Sequence, residues 1–464
     1  MTDLIIALAF VGILAFGLVA PFFLALGYVW VDTFYPQLVA AGTLGTVPVA
    51  FIMGAAAIGS YLLMDRRAPP KPSLILMLYL LLGVWITLTS SWALLPGPAW
   101  AKWDASFKTL MFSAFLPFAI RSRIQIEAFV HVLLFACAGH LLPWGPKTLI
   151  TGGGYEQSLG LLGSNATWLA ESSVIAAVSI MFIPLLVLLT RHNRIFPPCR
   201  LTRILFFGMI GSFLIGAVGT FARTGLVALA VMGSGMMWRS KRKAGFAVAA
   251  VVAGGLMFAV TSDRWTERVS TIGNYQNEGS AVVRMLVWQW TWDFALENPL
   301  GGGFNVYMTN KLVMPVASPD GEANIQYGRA FHNIYFAVLG EHGFVGLALY
   351  LSIMAMAMIG LQKTRQMLRG LPEHAWCFDL AGALQISLAT ILISANFVDI
   401  SFFGLLWELV ALAVCLRQYA SRVQPTALNR APYDAPRRPL RALAAAAVSR
   451  SAVQLRAGAR PGVD

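Results

Sequence analysis

A succession of long apolar runs decides what this chain can fold into. They fall at 4–42, 46–64, 73–94, 106–120, 126–144, 168–190, 203–219, 222–238, 244–260, 331–361, 378–398 and 402–420. A helix needs about 20 apolar residues to cross a hydrocarbon layer about 30 Å thick. With no water inside that layer, backbone polar groups must bond to each other, so helices or closed barrels are the only spanning structures. These runs are too long for barrel strands and lack their two-residue alternation. The first run is interrupted at Pro21 and Asp32, which gives twelve spans, or thirteen if it breaks at Pro21. The reading is an all-α polytopic membrane protein. Composition agrees: 58% of residues are hydrophobic and 12% charged, with mean hydropathy +0.68. Soluble domains are about a quarter charged, so an ordinary water-soluble enzyme and a disordered chain are both excluded. Cys137, Cys199, Cys377 and Cys415 have no metal-ligand spacing. The first apolar stretch has neither the basic start nor the small-residue cleavage site of a signal peptide.

The net charge of +13 resembles a nucleic-acid signature until it is placed along the chain. Basic clusters follow every second span: Arg66 to Lys71, Arg121 and Arg123, Arg191 to Arg203, Arg239 to Lys243, Lys363 to Arg369, and the Arg-rich tail. Positive residues stay on the cytoplasmic side of a membrane protein, so 25 of the 34 basic residues and both termini are expected there. The excess is an orientation signal and calls for no nucleic acid. The expected layout is nine membrane helices over 1–260, a large periplasmic loop subdomain over 261–330, three more helices over 331–420, and a basic cytoplasmic tail over 421–464, disordered or lying on the membrane surface. A loop of about 70 residues is too long to be structureless in a compact protein. It holds a Trp-rich helical stretch, Ser280 to Glu297, and a Gly-rich turn at Gly301–Gly303. No internal repeat is visible, which counts against the repeat-built transporter folds.

Charged residues kept on the outer side or inside spans need a reason. Arg223 sits in a very short turn between two spans. It is either an arginine reaching to the interface or an anion contact at a helix start, where backbone NH groups favour negative charge. Arg284 opens the stretch that carries Trp288, Trp290 and Trp292. Those tryptophans spread round the helix and read as interfacial anchors, with a sugar platform as the alternative. His332 begins the run after the large loop, beside Asn333 and near Arg329. A lone histidine is more often structural; here its position at the outer end of a span suits a base that takes a proton from a hydroxyl. Glu341 falls at membrane depth and is expected to be paired or to line a polar cavity. It is nine residues from His332, on roughly the opposite helix face, so no His–Glu dyad is expected between them. No HExxH, P-loop or outer acidic pair points to metal or nucleotide, and the glycine run follows a helix, which is not a dinucleotide fingerprint.

Three blocks in order resemble the bacterial O-antigen ligase/polymerase superfamily. They are Arg223-Thr224-Gly225; Arg284 to Trp288 followed by Asn298-Pro299-Leu300-Gly301-Gly302-Gly303-Phe304; and Phe331-His332-Asn333-Ile334-Tyr335 followed by Gly340-Glu341-His342-Gly343-Phe344-Val345-Gly346-Leu347. The stretches Gly145 to Gly154 and Gly163-Ser164-Asn165 are similar to ligase-like members found with exosortase systems, although Gly163-Ser164-Asn165-Ala166-Thr167 stands where those often carry Asp-Asn-Asn. The resemblance implies a GT-C-like glycosyltransferase of the bacterial inner membrane with its site facing the periplasm. A glycan on undecaprenyl pyrophosphate would pass en bloc to an acceptor hydroxyl without metal or other cofactor, inverting the anomeric centre if displacement is direct. Without a metal, arginines and helix N-termini must stabilise the departing pyrophosphate. Arg223 and Arg284 are assigned to it, with Arg329 and Lys147 as auxiliaries, His332 as the base, and Asn333 and Glu341 as substrate contacts. Lys147, Arg264 and Arg268 read equally well as solvated loop charges.

The acceptor stays open among lipid A core (a ligase), a growing polysaccharide end (a polymerase) and a protein hydroxyl, with the ligase first. Of the different classes, a lipid-linked glycan transporter or flippase would place its charges at the bilayer midplane. Glu171, Glu341, Asp399 and Glu408, within or beside spans, keep that reading alive. A non-catalytic assembly scaffold would not need Arg223, Arg284 and His332 together.

Overall fold

The computed structural model describes residues 2–70, 73–153, 171–240, 243, 279–314 and 324–429. The run expected at 244–260, together with Arg264, Arg268 and the tail from 430, lies outside them. Residues 1–421 form one compact unit.

Helices occupy the apolar runs that can be compared. The first run holds two longer helices, α1 (Thr2–Gly17) and α2 (Phe22–Phe34), parted just before Pro21, and then two single turns at Pro36–Val39 and Ala41–Leu44. Then come α3 (Val49–Met64), α4 (Leu74–Ser91), α5 (Pro96–Ala119), α6 (Arg123–Leu141), α7 (Trp144–Thr151), α8 (Ser172–Leu189), α9 (Arg200–Gly219) and α10 (Arg223–Arg239). Beyond the undescribed stretch lie α11 (Gly279–Glu297), α12 (Ile334–Leu368), α13 (Ala375–Ser394) and α14 (Gly404–Asn429). Among the described residues, six stretches are long and apolar enough to cross a membrane, and α1, α2 and α3 are shorter apolar helices.

Local chemistry sets the ends. Pro96 begins α5, where its missing N–H costs nothing. Ser122 and Gln125 form a capping box on α6. Gly152, in the left-handed region, stops α7. The helix α8 is the hub, buried along nearly its whole length and packed against α9, α10 and α13. By contrast, Leu74, Met77, Leu80 and Leu81 of α4 and Leu201, Ile204 and Leu205 of α9 are exposed, as lipid-facing sides require.

Three features depart from the sequence reading. The large loop contains a two-stranded antiparallel ladder, β1 (Lys311–Val313) and β2 (Ile325–Tyr327), with Lys311 opposite Tyr327. Strands of three residues carry too little alternation to be read, so the all-α expectation needs this correction. The helix α12 is not continuous: Gly343 has φ +65° and ψ −168°, which kinks it about two and a half turns below its start at Ile334. Finally, α14 continues through Asn429, past the expected start of the tail.

Candidate active site

The site forms where α11 meets the start of α12. Trp288 stacks on Phe336, ring centroids 5.5 Å apart, and its indole N–H donates to the carbonyl oxygen of Phe331 at 2.9 Å. Arg284 is four residues before Trp288 and therefore on the same helix face. This arrangement gives the Arg-x-x-x-Trp spacing a physical reason: the indole fixes the backbone just before His332 while the guanidinium, one turn away, acts on the imidazole through its charge. Trp290 stacks on Phe294, and Trp292 meets Phe344 edge-on while staying half exposed.

His332 has φ +46°, a left-handed conformation uncommon in residues other than glycine. Asn333 follows in extended conformation and caps α12, its carboxamide oxygen accepting from the N–H groups of Tyr335 at 2.8 Å and Phe336 at 3.2 Å. The imidazole Nδ1 of His332 lies 3.8 Å from Oε1 of Glu171, the residue just before α8. Both side chains precede their helices and are 40% exposed, so solvent reaches them. Burial, reinforced by the charge of Arg284, holds the imidazole below its usual range, while Asp399 opposes. Burial pushes the Glu171 carboxyl up, with Arg284 opposing and Asp399 adding. At neutral pH the group beside the arginine is therefore a neutral imidazole, able to accept a proton.

Below His332 the Gly-rich turn grips the kink in α12. The N–H groups of Gly302 and Gly303 donate to the carbonyls of Gly340 and Glu341 at 3.0 and 2.9 Å, and Phe344 N–H donates to Pro299 O at 3.0 Å. A Cβ on Gly343 would run into the carbonyl oxygen of Pro299, and one on Gly301 into the backbone at Gly343. The glycines are thus a fit of backbone against backbone. The kink aims Glu341, fully buried, at Lys102 of α5: Nζ to Oε1 is 2.8 Å, and the same oxygen accepts from the N–H of Asn305 at 2.9 Å. Lys102 also stands 4.0 Å from Asp399, and His342 Nδ1 lies 2.7 Å from Thr89 Oγ1.

Arg223 is the first residue of α10. A Cβ on Gly225 would lie 3.2 Å from that of Ala176 in α8, so the starts of α8 and α10, with Glu171 and Arg223, lie at one level. Lys147 is on α7, whose Thr148 fills the gap left by Gly219 beside the turn that leads to Arg223. Arg329 is tied locally, its Nε to Gln326 Oε1 at 2.8 Å and its N–H to Asn310 Oδ1 at 3.0 Å. Sequence reading passed over Glu171, Asp399 and Lys102 as site members; their signal was only that each is a charge within or beside a span. Among the described residues no group of three or more His, Cys, Asp or Glu is placed to hold a metal ion.

Residues 207–351 match the family model described as O-antigen ligase. That segment belongs to the O-antigen ligase/polymerase superfamily. Residues 1–194 match a second model, described as a family of unknown function. No curated protein matches the chain. Arg223, Arg284, His332, Glu341 and the Gly-rich turn all lie in the ligase segment, whereas Lys102, Lys147 and Glu171 lie in the segment of unknown function.

Proposed function

We propose that the protein is an inner-membrane glycosyltransferase. It moves a glycan en bloc from undecaprenyl pyrophosphate to an acceptor hydroxyl at the periplasmic face, on a GT-C-like scaffold of twelve or thirteen spans. The observation that carries this is the exposed imidazole of His332, 3.8 Å from Glu171 and within the electrostatic influence of Arg284, at the mouth of a kinked helix. The acceptor oxygen attacks the anomeric carbon and the carbon–oxygen bond to pyrophosphate breaks. The hydroxyl proton passes to His332, and undecaprenyl pyrophosphate leaves with the bonding pair. A single displacement of this kind inverts the anomeric centre. Arg284 and Arg223 stabilise the charge that grows on the leaving group, with Lys147 and Arg329 assigned as auxiliaries. Arginines serve here because their forked donors match phosphate oxygens.

A ligase acting on lipid A core is the first choice, as the resemblance to ligase-like members found with exosortase systems leans that way. A polymerase or a protein O-glycosylating enzyme would use the same donor chemistry. The exposed pairing of His332 with Glu171 at a helix mouth favours surface chemistry over a transporter site at the bilayer midplane.

Reconstitution with a lipid-pyrophosphate glycan and membrane acceptors, in the presence of chelator, tests the proposal. Wild type is expected to transfer glycan, and His332→Ala to lose about 10²–10⁴-fold in rate with its melting temperature nearly kept. Full activity in His332→Ala would remove the base, and strict dependence on a divalent metal would overturn the route.

A further inference from the structure

A cavity of about 200 Å³ lies between the start of α4, the later part of α12 and the middle of α14. Its wall follows helix spacing. On α12, Met356, Gly360 and Lys363 share one face; on α14, Ala413 and Arg417 do. Each face is apolar and ends, one turn further on, in a cation. The cavity is open to the outside of the protein. Leu74 and Ile359 in its lining are exposed, Lys363 is exposed, and a Cβ on Gly360 would meet nothing within 4 Å. Leu74 and Ile359 also continue exposed apolar stripes, with Met77 and Leu81 on α4 and Leu351 on α12. Its rim therefore belongs to the surface that meets acyl chains.

Lys363 and Arg417 bring two positive charges from two helices, and among the described residues no carboxylate lines the cavity. Arg417 touches the sulfur of Met367, a weak and neutral acceptor that leaves its charge in place. The start of α4 lines the cavity too, and a helix start favours negative charge. A ligand that fits is apolar along most of its length and anionic at one tip. Both cations belong to the side that the charge pattern assigns to the cytoplasm: Lys363 opens the basic cluster after α12, and Arg417 precedes the Arg-rich tail. A free phosphate would leave the apolar wall uncovered, and a peptide would bring backbone groups that this wall cannot bond.

We propose that this cavity binds one anionic phospholipid of the surrounding leaflet. An acyl chain lies along Ile359, Gly360 and Ala413, and the phosphate is held by Lys363 and Arg417. The site is at the other end of α12 from His332 and does not depend on the transferase reading.

The full chain, purified in a neutral detergent, is titrated with dioleoyl phosphatidylglycerol or dioleoyl phosphatidylcholine, and bound lipid is counted by native mass spectrometry. Two cations near the membrane surface give an expected preference for the glycerol lipid of about thirtyfold. Lys363→Gln should lower that preference about fivefold, and adding Arg417→Gln should abolish it, with phosphatidylcholine binding unchanged. Gly360→Phe fills the cavity from its open side and should weaken both lipids alike. Arg369→Gln removes an exposed cation outside the lining and should leave the preference as in wild type. Unchanged preference in the Lys363 and Arg417 double variant overturns the site. An equal fall in Arg369→Gln and Lys363→Gln would reduce it to diffuse surface charge. Inorganic phosphate that displaces the lipid at equal concentration would make it an anion site without a chain. A dimer that holds without lipid and parts in Gly360→Phe would give the groove to a second copy. Lys363 lies at the surface, so its variant decides between these outcomes even if Gly360→Phe does not fold.

Discussion

His332 keeps a left-handed backbone (φ +46°) that costs a non-glycine residue about 1–3 kcal/mol. The strain holds because Asn333 caps the helix immediately after it and Trp288 fixes Phe331 immediately before it. Its proton affinity is set by burial first and by Arg284 second, both of which lower it. The neutral, reactive form is lost only as pH falls through this depressed value, so transfer should persist below the ordinary imidazole pKa of about 6.5. Arg284→Gln removes one of the two depressing influences, and the acid limb of the rate profile should move to higher pH. Arg284→Lys keeps the charge and should leave the limb where it is, whatever either variant does to the maximal rate. Coincident limbs for wild type and Arg284→Gln would separate the arginine from the base. His332 and Arg284 were legible in the sequence because they stand in short motifs. Glu171 was not, since it is 161 positions from His332 and nothing local marks it.

Among the elements, the kinked α12 and the turn that clasps it organise the site. A straight helix through Gly343 would carry Glu341 away from Lys102 and leave the N–H groups of Gly302 and Gly303 without their carbonyl partners. The sequence displayed the glycines but not their purpose. A run of three after a helix has no phosphate-binding register, and its true partner is the backbone of a helix some 40 positions later. The kink itself is invisible to hydropathy, because Gly343 interrupts the apolar run at 331–361 no more than Gly340 does. Gly343→Ala places a Cβ against Pro299 O and forces a conformation reserved almost wholly for glycine. A loss of about 1–3 kcal/mol is expected from the backbone alone, with transfer lost together with stability. Gly360→Ala, on the same helix with open space around its Cβ position, should be neutral or slightly stabilising. Comparable melting temperatures for the two variants would show that the kink is not what the glycine provides.

At the scale of the whole molecule, Lys102 joins two segments matched by different family models. Its ammonium, 24% exposed, meets a carboxylate with no exposure at all. Burying such a pair gives little net stability, because desolvation offsets the attraction, but removing one partner strands the other. Lys102→Met should therefore cost about 3–5 kcal/mol, by leaving Glu341 buried with Asp399 and no cation. Adding Glu341→Gln removes the stranded charge, and the double variant should be more stable than Lys102→Met alone. That non-additivity measures a direct contact, whereas independent sites would give the sum of the single effects. Activity should follow a different rule. If the pair positions the α12 kink and the Asp399 side of the site, the double variant recovers its melting temperature without recovering transfer. Recovery of both would reduce the pair to a strut. The apolar runs announced helices, and helices occupy those of them that lie in the described residues. The pairing of Lys102 in α5 with Glu341 in α12 belongs to the packing, which no single run encodes.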